Sequence, residues 1–275
     1  MLCRCEADHA RAKRGGLLRR LIVTADDVGL HPGMTEGAIR AHREGIVTAC
    51  SIVANGTAFD DAVARLRETP SLEVGVHLTL VEEQPLTAMR FPKKYTSFVP
   101  LYLLHAISMR DVERELRAQI ERVLATGLRV THLNGHQHLH LLPRVFAIVA
   151  RLAREYSIGY VRIVNDRSAG VPPAGRAASR RAAIGALSAL GRRARAAFTN
   201  DHTIGVALAG HLTEVVPLLG AVEDVTELVT HPGVNVTGYA WGYDWDRETS
   251  ALCDPRLQEE LARREIALIA PSRAS

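Results

Sequence analysis

The chain has 275 residues, 47% hydrophobic and 23% charged, which suits a folded chain with a sizeable core and excludes a disordered one. No apolar run approaches the ~20 residues that span a bilayer, and Leu17-Leu18 is too short for a signal-peptide core, so the expected location is cytoplasmic. The net charge of +4 is uneven, with +4 on residues 1–20, +6 on residues 176–195 and −6 on the remainder; no motif that reads DNA or RNA accompanies it, so no nucleic-acid partner is expected.

In chain order, residues 1–19 lack periodicity, contain Gly15-Gly16 and read as a disordered basic extension. One domain is expected over 20–275. Leu21–Ala25 predicts a short buried strand. Over 34–44, Met34, Ala38, Ile39 and Ala41 share a helical face that Gly45 ends. A second strand is predicted over Ile46–Val53, a helix over Phe59–Glu68 ending before Pro70, and a third strand over Leu72–Leu80. Residues 81–108, with Pro85, Pro92 and Pro100, read as one long irregular connection.

Asp111–Thr126 predicts a helix with Val112, Leu116, Ile120, Val123 and Leu124 on one stripe. Leu128–Leu133 then reads as a strand, Pro143–Tyr156 as a helix opened by proline, and Gly159–Val164 as a strand. Residues 165–200 interrupt the alternation with Pro172-Pro173 and an arginine-rich stretch. His202–Leu208 and Val225–Thr230 are predicted strands, with Leu212–Leu219 between them, and Leu257–Ile269 closes the chain. A β-α rhythm repeated about seven times predicts an irregular, TIM-barrel-like (β/α) barrel of parallel strands with right-handed crossovers.

The polar residues at the strand ends carry the chemistry. Asp26-Asp27 closes a buried strand; adjacent carboxylates repel, so one reads as a metal ligand and the other as a base, or Asp27 as a turn residue before Gly29. His77 lies between Val76 and Leu78 and by itself reads as a core histidine or a ligand. His132, His136, His138 and His140 crowd nine residues beside Asn134 and Gly135. Read as an extended segment, 136, 138 and 140 share one side, and at least one of the four is expected to bind metal. His231, before Pro232-Gly233, ends an apolar run as a proton donor or acceptor, or as a turn residue. No pair among the four cysteines has a disulfide or zinc-knuckle spacing.

The segments LIVTADDVGL at 21–30, AHREGIVTACSIVANG at 41–56, VGVHLTL at 74–80, THLNGHQHLHLLP at 131–143 and ELVTHPG at 227–233 resemble, in order, the YdjC/ChbG family of carbohydrate deacetylases. THLNGHQHLHLLP and GYAWGYDWDRE at 238–248 are most similar to its hopanoid-biosynthesis branch, HpnK. The resemblance implies one divalent ion (Mg, Zn or Mn) held by Asp27, His77 and His136, with Asp26 as base and His231 as acid. Asn134, His138, Arg162 and Asn55 are candidate substrate or supporting residues. Asn134-Gly135 departs from the Asp-Ser of many relatives, which alters charge behind the metal histidine.

The implied reaction is removal of an acetyl group from an N-acetylated amino sugar, with an N-acetylglucosaminyl hopanoid or a chitooligosaccharide as substrate. Arg176, Arg180, Arg181, Arg192, Arg193 and Arg195 in 176–198 suggest a helix, solvated or drawn to an anionic membrane; a homodimer is the other partner expectation. The rivals are a metal-dependent isomerase, for which carboxylate ligands are too few, a phosphoesterase, for which a phosphate loop is missing, and a non-catalytic carbohydrate- or lipid-binding protein with a relic site.

Overall fold

The computed structural model describes residues 19–167 and 199–274, with 185–186 and 189–190 between them. The basic stretch 1–18 lies outside the described residues, as does the arginine-rich segment 176–198 apart from those four positions. Arg19, expected in the extension, instead opens the first strand.

The elements run β1 (Arg19–Val28), α1 (Pro32–Arg43), β2 (Ala49–Ile52), α2 (Phe59–Arg67), β3 (Glu73–Leu78), α3 (Tyr95–Leu103), α4 (Met109–Leu124) and β4 (Val130–Gly135). They continue through α5 (Pro143–Glu155), β5 (Tyr160–Val161), β6 (His202–Ile204), β7 (Val225–Thr230), α6 (Trp245–Leu252), α7 (Arg256–Arg263) and β8 (Ile266–Leu268). The strand order is β5-β4-β3-β2-β1-β7-β6, every pairing is parallel, and β8 adds to the start of β1. A parallel bridge between Asp166 and Thr203 links the run after β5 to β6, so the two ends of the curled row meet. The result is the expected α/β barrel-like fold.

β1 is central because it is apolar on both faces. Leu21, Ile22, Val23 and Ala25 are fully buried, as a strand covered on both sides requires. Helix α1 starts where His31 accepts the Gly33 N–H and proline occupies the first turn. Helix α4 is capped by Ser108 and buries Val112, Leu116, Ile120 and Val123 as one stripe.

Helix α4 also buries two polar side chains that set the course of the connection after β3. Gln119 accepts from the Thr79 N–H at 2.9 Å and donates to the Thr79 carbonyl at 2.7 Å. Glu115 accepts from the Leu86 and Thr87 N–H groups, each at 2.9 Å. Residues 79–87 are thereby fixed across the mouth of the barrel. Beyond them the long connection is not wholly irregular, because residues 95–103 form α3.

Several predicted strands are shorter than the apolar runs that signal them. β2 begins at Ala49 because the Val47 N–H closes the end of α1 on the Ala41 carbonyl. β5 stops at Val161, since the Asn200 amide takes both the N–H and the carbonyl of Ile163. β6 stops at Ile204 because Gly205, at φ 90°, turns the chain into a single 3-10 turn over Val206–Leu208. Between 212 and 221 the chain makes another 3-10 segment, Val216–Ala221. Helix α6 and strand β8 were not anticipated; α6 is capped by Asp244. Among the described residues no helix is long and apolar enough to cross a membrane.

Candidate active site and metal centre

The register of the sheet brings the polar strand ends together. Ala25 lies opposite Cys50 and Thr230, which sets Asp26 beside Ser51 on one side and His231 on the other. His77 lies opposite Asn134. In a regular strand Asp26 and Asp27 would point to opposite faces. The β1–β2 register breaks between Ala25 and Val28, and Asp27 adopts φ 65°. Aspartate is among the few non-glycine residues that tolerate this left-handed region. The break lets both carboxylates flank one imidazole. Asp26 Oδ1 is 3.9 Å from His77 Nδ1, and Asp27 Oδ1 is 3.3 Å from His77 Nε2.

Asp27, His77 and His136 form a group able to hold a metal ion. Asp27 Oδ1 lies 3.1 Å from His136 Nδ1, and the two facing histidine nitrogens are 3.4 Å apart. Such separations suit ligands placed ~2.0–2.2 Å from one ion. The second nitrogen of each ring is engaged. His77 Nδ1–H donates to Asn134 Oδ1 at 2.7 Å, and His136 Nε2–H donates to Glu82 Oε2 at 3.1 Å. These bonds turn His77 Nε2 and His136 Nδ1 inward, where a metal ion would take their lone pairs, the usual support for metal-binding histidines.

Electrostatics favours positive charge at this spot. Burial opposes the Asp27 charge, but His136 outweighs it and holds the carboxyl well below its ordinary range. Burial likewise opposes imidazolium at His136, yet Asp27 and Glu82 push it up to about 10. The donor set and its charge therefore fit a divalent cation.

Asp26 belongs to a second, fully buried network. Arg162 donates to both of its oxygens, at 2.5 and 2.9 Å. Ser51 Oγ–H donates to Oδ1 at 2.8 Å, and Asn134 Nδ2 donates to the same oxygen at 3.0 Å. Arg162 also binds Glu227 Oε1 through Nε at 2.9 Å and through a terminal nitrogen at 2.7 Å. Tyr160 and Thr24 complete Glu227 with hydroxyl bonds of 2.7 and 2.6 Å. Burial alone would raise the Asp26 pKa; the Arg162 guanidinium holds it far below the carboxylate range.

Asn134 thus joins the two networks, accepting from His77 and donating to Asp26. A carboxylate there would set a third negative charge against Asp26. An amide bonds both neighbours without that repulsion.

The four clustered histidines have different fates. Gln137 at φ 52° and His138 at φ 54° turn the segment into a 3-10 element over His136–Leu141, not the extended run expected. Only His136 reaches the metal group. His132 and His140 are buried, which lowers each to about 4 and keeps them neutral. Gly75 makes room for His132, since a Cβ there would sit 2.3 Å from its ring. His138 packs on His140, its ring centroid 6.3 Å away, and is outside the triad. Asn55 bonds to the connection after β3, its amide bound to the Gln84 carbonyl and the Thr79 hydroxyl.

His231 follows β7, where burial lowers its pKa and the charges of Asp27 and Asp26 oppose that shift. Its backbone N–H donates to Glu248 Oε1 at 2.6 Å, and its Nδ1 is 3.9 Å from the same oxygen. Burial raises the Glu248 carboxyl to about 8.

Ser51, Glu82, Tyr160, Glu227 and Glu248 escaped the reading of the sequence. Glu227 had a signal, an acid inside the apolar run Val225–Thr230. Glu82 and Glu248 had none, because loop folding and the unforeseen α6 deliver them.

The profile of the YdjC-like protein family matches residues 20–263. A carbohydrate deacetylase of Brevibacillus brevis is 38% identical over 148 residues, half of this chain, and one of Oceanobacillus iheyensis is 34% identical over 150 residues. The chain covers 57% and 63% of those two proteins, less than two thirds of either. Carbohydrate deacetylase 1 of Listeria innocua is 29% identical over 249 residues, covering 87% of this chain and 89% of its own. A crystal structure from Enterococcus faecalis V583 superposes with TM-score 0.69 over 92% of this chain and 97% of that one, at 24% identity, and so shares the fold. With the profile spanning nearly all the described barrel, the chain belongs to the YdjC-like protein family.

Proposed function

We propose that this chain is a metal-dependent hydrolase that removes the acetyl group from an N-acetylated amino sugar. The observation that carries the reading is the convergence of Asp27, His77 and His136 from three strand ends, with Asp26 and His231 beside them, in a chain similar to named carbohydrate deacetylases. Between the three ligands a divalent ion would supply Lewis-acid polarisation of the acetyl carbonyl and a more acidic water. Asp26 accepts the proton of the attacking water. Arg162, Ser51 and Asn134 keep that carboxylate ionised and fixed in direction. His231 delivers a proton to the departing amine nitrogen, and Glu248 behind it restricts where the imidazole can sit.

Among N-acetyl sugars we favour the N-acetylglucosaminyl hopanoid, on the resemblance of 131–143 and 238–248 to the HpnK branch. Acetate release tests both levels of the reading. Chelated protein is resupplied with Mg, Zn or Mn and offered that glycolipid beside di-N-acetylchitobiose. Release from the glycolipid alone supports the finer assignment, and release from the disaccharide alone supports only the coarser one. No release from either, with any metal, refutes the hydrolase.

A further inference from the structure

The segment after His231 carries four aromatic rings at alternate positions, Tyr239, Trp241, Tyr243 and Trp245. The segment turns at Gly238 and Gly242, with φ 83° and 71°, and Trp245 opens α6, yet the four rings gather into one row. Neighbouring ring centroids are 4.8, 5.5 and 5.6 Å apart along the row. Trp245 is the foundation, buried with Leu30, Met34 and Val53. The other three rings stay partly exposed. Rings that served only as core would be covered like Trp245.

These open rings stand against the chemistry already described. Trp241 is 5.6 Å from the His136 ring, and Tyr243 is 5.4 Å from the His231 ring. The wall is held in place. Tyr239 donates its hydroxyl to the Leu30 carbonyl at 3.1 Å. Tyr243 occupies the space over Gly210, where a Cβ would come within 2.1 Å of its ring, and Gly210 has φ +73°. The Asp244 N–H donates to the Gly210 carbonyl at 2.9 Å.

Facing the rings is a polar edge. Glu82 holds His136, the ring that Trp241 approaches. Carboxylates accept hydrogen bonds from hydroxyl groups, while aromatic faces take apolar C–H surface. A pyranose ring presents both. The same carboxylate disfavours an anionic ligand.

We infer that Tyr239, Trp241 and Tyr243 form a stacking platform that receives the apolar face of an uncharged pyranose, with Glu82 taking its hydroxyls. This inference rests on the deacetylase reading for the placement of the acetyl group, but the platform binds sugar independently of turnover.

Calorimetry on metal-loaded protein tests it with di-N-acetylchitobiose, N-acetylglucosamine and N-acetylglucosamine 6-phosphate. Trp241→Ala is expected to weaken disaccharide binding about tenfold, and Trp241→Phe to restore it to within about threefold. In acetate release the alanine variant raises KM and leaves kcat nearly unchanged. The 6-phosphate binds at least about tenfold more weakly than N-acetylglucosamine. An unchanged melting temperature verifies that Trp241→Ala is folded. Sugar binding without acetate release leaves the platform standing and removes the deacetylase reading. Acetate release with undiminished binding by Trp241→Ala does the reverse. No binding of the disaccharide by the native protein, or equal binding of the phosphate, overturns the inference.

Discussion

Asp26 and Asp27 are neighbours in sequence and belong to opposite kinds of network. Around Asp26 the charge is nearly closed, with one guanidinium between two buried carboxylates and every oxygen engaged. Around Asp27 the donor atoms turn inward on one another, 3.1–3.4 Å apart, with the outer nitrogens of both histidines already bonded. The first arrangement is complete from the chain's own residues. The second is arranged for a cation. A bulge of one strand separates a closed ion network, which holds the base, from a reactive one, which is arranged to take the cation.

The largest effect expected from disturbing this pair comes from the reaction. Asp26→Asn removes the base but keeps the three inward donors. Acetate release is expected to fall by ~10²–10⁴-fold with metal content unchanged. His231→Ala is expected to fall comparably. Equal loss of metal and activity in Asp26→Asn would show that the two networks are not separable.

Next in size is the cost of opening the closed network. Arg162→Met strands Asp26 and Glu227 as unpaired buried charges. Loss of one partner of a buried pair typically costs about 3–5 kcal/mol, and urea unfolding should show it. The reactive network responds to metal instead. Zinc at about 100 times its dissociation constant is expected to add about 2.7 kcal/mol to unfolding, and His136→Ala should erase that gain. Glu82→Gln keeps all three ligands but weakens the support of His136. Metal affinity is expected to fall by ~10–100-fold in a competition titration.

The smallest effect is one of pH. The Glu248 carboxyl lies at about 8, against an ordinary value of 4.5. Between those values the unfolded chain holds fewer protons than the folded one. Stability from this group is therefore complete below pH 4.5 and is lost as pH rises toward about 8. Asp26 adds to the shift from within the barrel, and the His231 N–H opposes it. Glu248→Gln should flatten this part of the profile of unfolding free energy against pH. A variant with the native slope would mean that Glu248 is ionised in the fold.

The closed and reactive networks also differ in how far the sequence announces them. The strand runs before Asp26, His77, Asn134 and His231 are strongly apolar, so the barrel and the strand-end positions are readable from pattern alone. Arg162 and Glu227 sit inside such runs, where a charge is conspicuous but its partner is not. Their pairing depends on the curl of the sheet, which brings β5 and β7 within reach across the interior. Among the clustered histidines the pattern misleads. Two residues in left-handed backbone break the alternation, and His136 alone joins the triad. Glu82 is legible only after Gln119 and Glu115 of α4 have fixed the connection that carries it.

The conformation of Asp27 has a consequence for how this position can vary. At φ 65° the backbone itself restricts the residue, before any demand from chemistry. Glycine, asparagine and aspartate suit that region, while β-branched residues are strained there. A library randomised at codon 27 and sorted only for folded protein should return all three. Sorted again for metal retention, it should keep aspartate alone. Two filters acting on one position leave a single solution, the first set by peptide geometry and the second by charge.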